Sequence, residues 1–185
     1  MVHSLHMEEM HLFPLESTLF KWLRIWDMAL FEFGVNVIGD WTAEQLYDRS
    51  YACIDRIKQL HPGEKVIVTD MYYTHHDFDK DPRAEEFCKA VRDCVTDLQR
   101  RYDCLYYING IQLMGTYQGL SSDGLHPSDH GHSMIAERLT KFINDEICSR
   151  WHYKSNSLSH NQRGVSMAEF NNNRYYALLK VRFIV

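Results

Sequence analysis

The sequence has no apolar run long enough to span a bilayer, so we expect no membrane-spanning helix. Its first eleven residues contain two glutamates and three histidines, which is unlike a secretory signal peptide. The five cysteines are an odd number without paired spacing, a pattern typical of reduced thiols rather than of a disulfide framework. These absences together indicate a cytoplasmic protein.

Charge is unevenly placed in this chain of 185 residues. The net charge of −5 argues against nucleic acid as a partner. Residues 151–185 carry five basic residues and one acidic residue, so they contribute +4 and leave −9 on residues 1–150. With 45% hydrophobic residues, the chain can bury a real core. We therefore expect one globular domain over residues 1–150, followed by a tail of unknown role at 151–185.

Buried strands alternate with helices along the domain. Apolar runs predict strands at 26–33, 65–71 and 104–108, and an amphipathic pattern predicts a helix over 6–24. Three further helices carry start signals, which are a capping box at Thr42 and Gln45, Asp81 followed by Pro82, and Ser128. This alternation predicts parallel strands joined by helical crossovers, in an α/β sandwich.

The carboxyl ends of parallel strands meet at one edge of a sheet, where ligands bind in such folds. The segments that follow the three strands carry Asn36, the run His75-His76-Asp77, and the pair Asp123 and His126. We therefore expect these polar side chains to lie close together.

Asp123 and His126 form the pattern with the clearest chemical meaning. A carboxylate three residues before a histidine can fix the imidazole tautomer and stabilise the imidazolium that forms when the ring takes a proton. Pro127 and Ser128 follow at once and begin a helix. The alternative is structural, since a loop histidine beside an acidic residue can simply precede a helix. Asn36 likewise has a structural alternative as a turn residue after Gly34.

The combination of Gly34-Val35-Asn36 after one strand and Asp123-x-x-His126-Pro127 before the last helix resembles the SGNH (GDSL-type) hydrolases, over about residues 20–148. This family of esterases and lipases has a three-layer α/β/α sandwich with a flavodoxin-like parallel sheet. The resemblance implies that His126 is the general base, Asp123 its orienting acid and Asn36 an oxyanion-hole donor. Val37 stands where the family has an acidic residue.

The block that carries the family's nucleophilic serine has no counterpart here. No glycine precedes Gly34, and the only serines before Asn36 are Ser4 and Ser17, neither of which follows a predicted strand. The nucleophile is therefore unknown, and the sequence resembles the carboxyl-terminal two-thirds of such an enzyme. We expect the first strand of the sheet to be missing, which leaves residues 28–33 as a bare edge that favours self-association.

The expected activity is hydrolysis of a carboxylic ester, such as an O-acetyl ester on a carbohydrate, without a cofactor. Because a triad that lacks a member loses most of its rate, we expect the chain to be inactive or weak. One alternative is a non-catalytic α/β binding module that keeps the cleft. Another is a metal-dependent hydrolase that uses His75, His76, Asp77 and His126, although we prefer to interpret His75, His76, Asp77 and Asp79 as a polar loop without metal.

Overall fold

The computed structural model describes residues 28–148 and the strand 182–184, so the helix expected over residues 6–24 lies outside the described residues. The strands are β1 Met28–Glu32, β2 Lys65–Thr69, β3 Leu105–Ile108 and β4 Arg182–Ile184. The helices are α1 Ala43–Leu60, α2 His75–Phe78, α3 Pro82–Gln99, α4 Gly110–Leu113 and α5 Asp129–Phe142. A π-helical segment, Ile143–Cys148, continues α5, and 3₁₀ turns occupy Val35–Val37 and Tyr117–Gly119. No helix in these ranges is long and apolar enough to cross a membrane.

All pairs in the four-stranded sheet are parallel, and the strand order is β3-β2-β1-β4. β1 pairs with β2 along its full length, from Met28 opposite Lys65 to Glu32 opposite Thr69. The sequence predicts a bare edge on the other side of β1. In the structure, the backbone of β4 pairs with that side over residues 29–31, which supplies hydrogen-bonding partners to an otherwise unpaired strand edge. Self-association stays a prediction.

The long helices begin where the sequence signals predict. Thr42 accepts from the Gln45 N–H at 3.2 Å while the Gln45 side chain accepts from the Thr42 N–H at 2.9 Å, so α1 starts with a complete capping box. Asp81 caps α3, and Pro82 occupies its first turn. Ser128 caps α5 by accepting from the Gly131 N–H at 3.2 Å. These local hydrogen bonds fix the points at which the chain leaves the sheet edge.

Side chains alternate between two apolar layers, one on each face of the sheet. Ala29, Phe31, Val66 and Val68 pack in the layer that contains the buried faces of α1 and α3. On the opposite face, Leu30 and Ile67 pack with apolar residues of α4, α5 and the π-helical segment, namely Leu113, Ile135, Leu139, Ile143 and Ile147. The fold is therefore the predicted three-layer α/β/α sandwich.

Glu32 is an exception in this apolar sheet. The residue is 6% exposed, its Oε1 atom has no hydrogen-bond partner, and its carboxyl group accepts from the backbone N–H of Val35. Burial raises the pKa of Glu32 to about 8, with a smaller contribution from the nearby charge of Asp70. Because the folded pKa lies above the ordinary value of 4.5, the folded chain holds a proton that the unfolded chain has released between these two values.

We expect the stability of the protein to fall as the pH rises from about 4.5 to about 8, by at most about 1.4 kcal/mol per pH unit from Glu32. Glu32→Gln has the shape of the protonated acid and no titration, so this part of the dependence disappears in the variant. Urea unfolding of both proteins at pH 5, 6.5 and 8 measures the difference. Equal pH slopes for the two proteins contradict the prediction.

Candidate active site

The segments that follow β2 and β3 contact each other at the carboxyl edge of the sheet. Asp70, directly after β2, accepts a hydrogen bond from the Gly110 N–H at 2.5 Å. Farther along the same two segments, the Tyr73 N–H donates to the Met114 carbonyl at 2.9 Å. The clustering of loops expected from parallel strands is therefore present, and it brings the segment that contains Asp123 against the segment that contains His75.

Asp123 uses both carboxylate oxygens within its own turn. Its Oδ1 atom accepts from the Ser121 hydroxyl at 2.7 Å, from the Leu125 N–H at 2.8 Å and from the His126 N–H at 2.9 Å. Its Oδ2 atom lies 2.7 Å from Nδ1 of the His126 ring. Hydrogen bonding from the His126 side chain, together with the Leu125 N–H and the Ser121 hydroxyl, holds the pKa of Asp123 well below its usual range. The carboxylate is thus ionised throughout the range in which a histidine titrates.

The orientation of the His126 ring follows from this contact. With Nδ1 directed at Asp123, the Nε2 atom is the one that can accept a proton from another group. The side chains of His126 and Asp123 are 63% and 50% exposed, respectively. A pair this exposed contributes little to the free energy of folding, and its main effect is to fix the orientation of the His126 ring.

The start of α5 anchors the far side of the same turn. The Ser128 N–H and hydroxyl both donate to the Gly119 carbonyl, at 2.8 and 3.0 Å. The His126 carbonyl accepts from the Ser121 N–H at 2.8 Å, and Leu120 forms an antiparallel bridge with Pro127. These contacts tie the dyad of Asp123 and His126 to a helix that is packed on the sheet.

Asn36 lies half-buried in the 3₁₀ turn that follows β1. Gly34 begins this turn with φ of 127°, a conformation that side chains other than glycine rarely adopt. A Cβ atom at Gly34 would also lie 2.8 Å from Cγ of Met71. The glycine therefore allows the chain to turn closely over the end of β2, which places Asn36 at the same edge as the dyad.

The segment that follows β2 is not arranged as a metal site. The rings of His75 and His76 are in contact, with centroids 4.0 Å apart and their planes tilted by 34°, and Nδ1 of His76 lies 3.1 Å from the Asp81 carboxylate. Asp77 instead accepts from the Thr74 N–H at 2.8 Å, as part of a capping box. Within residues 28–148, no group of three or more His, Cys, Asp or Glu residues could hold a metal ion. This arrangement does not support the alternative of a metal-dependent hydrolase.

Within residues 28–148, Asp123 is the hydrogen-bonding side-chain partner of the His126 ring, and no hydroxyl or thiol group donates to Nε2. Ser4 and Ser17 lie outside the described residues. The structure therefore brings together the expected base and its orienting acid, and leaves the nucleophile unassigned.

A family model described as the GDSL-like lipase/acylhydrolase family matches residues 15–144, which include the Asn36 turn and the whole Asp123–His126 turn. The chain belongs to this family. A comparison with curated proteins gave no match.

Solved structures of the GDSL-like type and of carbohydrate esterases share the fold. A putative GDSL-like lipase from Bacteroides ovatus has a TM-score of 0.53 at 22% identity, over 63% of this chain and 35% of that one. A family 3 carbohydrate esterase from Talaromyces cellulolyticus has a TM-score of 0.52 at 22% identity, over 64% and 57%. A mutant acetyl esterase with an acetate ion also has a TM-score of 0.52 at 22% identity, over 64% of this chain and 59% of that one. The matched region thus spans between about a third and three-fifths of these structures.

Two buried acids at this edge of the GDSL-like domain were not expected as site residues. Glu32 ends β1, and Asp70 follows β2 with 0% exposure. Asp70 accepts from the Tyr107 hydroxyl and from the Gly110 N–H, yet burial is the largest effect on its pKa and raises it. A charged residue between Phe31 and Phe33 is a visible signal for Glu32. Asp70 offers no such signal, because its partners come from distant positions.

We expect the proton on the neutral His126 ring to reside on Nδ1, since this nitrogen faces Asp123. At pH 9, ¹⁵N NMR should show this tautomer in the unmodified protein and a larger share of the Nε2–H form in Asp123→Ala. Ser121→Ala is the matched control, because it removes one donor to Asp123 and leaves the contact with the ring. The same tautomer mixture in the unmodified protein and in Asp123→Ala would show that the carboxylate does not orient His126.

Proposed function

We propose that this GDSL-like chain carries the acid–base half of an ester-hydrolase site. The observation that carries the proposal is the 2.7 Å contact between Asp123 Oδ2 and His126 Nδ1. In the proposed reaction, Nε2 of His126 takes a proton from a hydroxyl nucleophile while the Asp123 carboxylate stabilises the resulting imidazolium. Asn36 donates a hydrogen bond to the oxyanion that forms when the nucleophile adds to the ester carbonyl.

The rate of ester hydrolysis that we propose for this chain by itself is low. Sites that lack one member of a triad retain roughly 10³–10⁴-fold acceleration over water, supplied by the oxyanion hole and by binding. A general base that activates water directly gives a further route to slow turnover. The low expected rate follows from the sequence, in which the block that carries the family's nucleophilic serine has no counterpart.

The proposed substrate is a short-chain acyl ester, with an O-acetyl group on a carbohydrate as the leading case. Support comes from solved structures with the same fold, which include a carbohydrate esterase and an acetyl esterase. The exposure of the His126 side chain, at 63%, also suits an ester group carried on a large, polar molecule.

A non-catalytic binding module is the second candidate function. It is favoured by the same observation that lowers the expected rate, namely that the block with the nucleophilic serine has no counterpart in this sequence. A cleft that keeps a polar dyad and an exposed ring can hold an acylated ligand without cleaving it. The two functions differ in whether His126 affects turnover.

We expect His126→Ala to lower the hydrolysis of p-nitrophenyl acetate by a factor of about 10², because a positioned general base contributes at least that much. Activated aryl esters also react slowly with any exposed imidazole. His130→Ala is therefore the matched control, since His130 is an exposed histidine in the first turn of α5 and should leave the rate unchanged. Equal rates in all three proteins favour the binding module.

Asn36→Asp tests the oxyanion role separately. Aspartate has nearly the shape of asparagine but lacks the N–H donors, so we expect kcat to fall roughly 10²-fold with little change in KM. Steady-state kinetics with the same ester provide the measurement. If Asn36→Asp retains its kcat, Asn36 acts only as a turn residue.

A further inference from the structure

The segment between β2 and α3 contacts both of the other loops of the candidate site. We call residues 72–83 the bridging segment. At one end it is bonded to the turn that contains Asp123 and His126, and at the other to the turn that contains Asn36. The proposed chemistry does not use any side chain of this segment, so its contacts require a separate explanation.

The contact with the dyad turn is made by His75. Its backbone N–H donates to the Gly124 carbonyl at 2.8 Å, and its ring Nδ1 lies 3.3 Å from the same oxygen. Gly124 directly follows Asp123 and has φ of 70°, so its carbonyl direction is part of the geometry of the turn. His75 therefore holds the peptide group next to the orienting carboxylate.

The contact with the Asn36 turn is made by Arg83. Its guanidinium group donates to the Ile38 carbonyl at 3.4 Å, and Ile38 is the residue that ends the 3₁₀ turn of Asn36. The same group donates to both oxygens of Asp81, at distances of 2.7 to 3.2 Å. These hydrogen bonds from Arg83 are the largest cause that holds the pKa of Asp81 well below its usual range.

His76 completes the connection between the two ends. Its Nδ1 lies 3.1 Å from the Asp81 carboxylate, and its ring contacts the ring of His75 at a tilt. The side chains of His76 and Asp81 are 14% and 17% exposed, so this central part is more buried than the dyad itself. A continuous series of contacts thus runs from Gly124 through His75, His76 and Asp81 to Arg83.

We propose that His75 and Arg83 are positioning residues, which hold the Asp123–His126 turn and the Asn36 turn through their hydrogen bonds to the Gly124 and Ile38 carbonyls. The inference rests on the proposed function, because the positioned groups are its base and its oxyanion donor. Catalytic groups must be held to within about 0.5 Å, and the dyad is too exposed to be fixed by packing. The bridging segment supplies a second constraint, in addition to the anchor of Ser128 on Gly119.

His75→Pro tests the contact with the dyad turn, with His75→Ala as its matched control. His75 is the first residue of α2 and follows an extended Thr74, so proline suits both positions. Proline removes the N–H and places a ring carbon in the position of the amide hydrogen, too close to the Gly124 oxygen, which forces the contact open. Alanine removes only the imidazole and keeps the backbone hydrogen bond.

The first readout is the titration of the Asp123 carboxyl group by ¹³C NMR, which does not require an active enzyme. We expect the pKa of Asp123 to rise towards its ordinary value in His75→Pro and to stay closer to that of the unmodified protein in His75→Ala. An unchanged Asp123 titration in His75→Pro overturns the role of His75.

The second readout is hydrolysis, and it separates this inference from the proposed function. We expect kcat to fall roughly tenfold in His75→Pro with KM unchanged, because the base is displaced and the binding surface is not. If the Asp123 titration shifts while His126→Ala leaves hydrolysis unchanged, the positioning role stands and the hydrolase proposal fails. If His126→Ala abolishes hydrolysis while His75→Pro changes neither readout, the hydrolase proposal stands and the positioning role of His75 fails.

Arg83→Lys tests the other end, since lysine keeps the positive charge and loses the planar group that reaches two acceptors. We expect the side-chain amide signals of Asn36 to shift in ¹H–¹⁵N spectra while Asp123 titrates as in the unmodified protein. Arg100→Lys, at the far end of α3, is the control and should leave Asn36 unchanged. Unshifted Asn36 signals in Arg83→Lys overturn the role of Arg83.

Discussion

The carboxylate of Asp123 is the group on which both the local fold and the chemistry of the candidate site depend. One oxygen accepts two backbone N–H groups and the Ser121 hydroxyl, which closes the turn, and the other faces the His126 ring. Since both oxygens are used, the turn cannot open without also releasing the imidazole. The same four contacts therefore determine the path of the chain and the direction in which Nε2 points.

This arrangement is held from outside rather than by burial. Water has access to both side chains of the dyad, so their hydrogen bonds compete with solvent. The constraint comes from the backbone on either side, where Gly124 is bonded to His75 and Ser128 is bonded to Gly119. The Ser128 anchor begins α5, which packs on the sheet, and the His75 anchor lies in the short α2, which precedes α3. An exposed and reactive ring is thus combined with a rigid frame, as is common where functional loops rest on an α/β core.

The sequence best predicts the contacts whose two partners lie within a few residues of each other in the chain. The caps at Thr42, Asp81 and Ser128, and the pairing of Asp123 with His126, all involve side chains two or three positions from their partners. The parallel sheet also follows, because alternation of strands and helices is a property of the whole chain.

Contacts between distant positions could not be predicted in this way. Asp70 meets Gly110 across 40 positions, and the ring of His75 meets Gly124 across 49. The position of Glu32 between Phe31 and Phe33 indicates a buried acid, but the elements that cover it at the end of β1 are not visible in the local sequence. The pairing of β4 with β1 joins the two ends of the described chain. The sequence therefore identified the dyad but not the frame that holds it.

The local character of the dyad has a consequence for how the GDSL-like domain works. A base and an orienting acid that share one turn can assemble without any contribution from the strand that supplies a nucleophile. The geometry of Asp123 and His126 is thus compatible equally with turnover and with a retained, unused site. What decides between them is the group that approaches Nε2, because an oriented base accelerates a reaction only when an acidic hydroxyl or a water molecule lies within hydrogen-bonding distance of it. In the proposed hydrolase, activity would therefore depend on access to the Nε2 atom of His126.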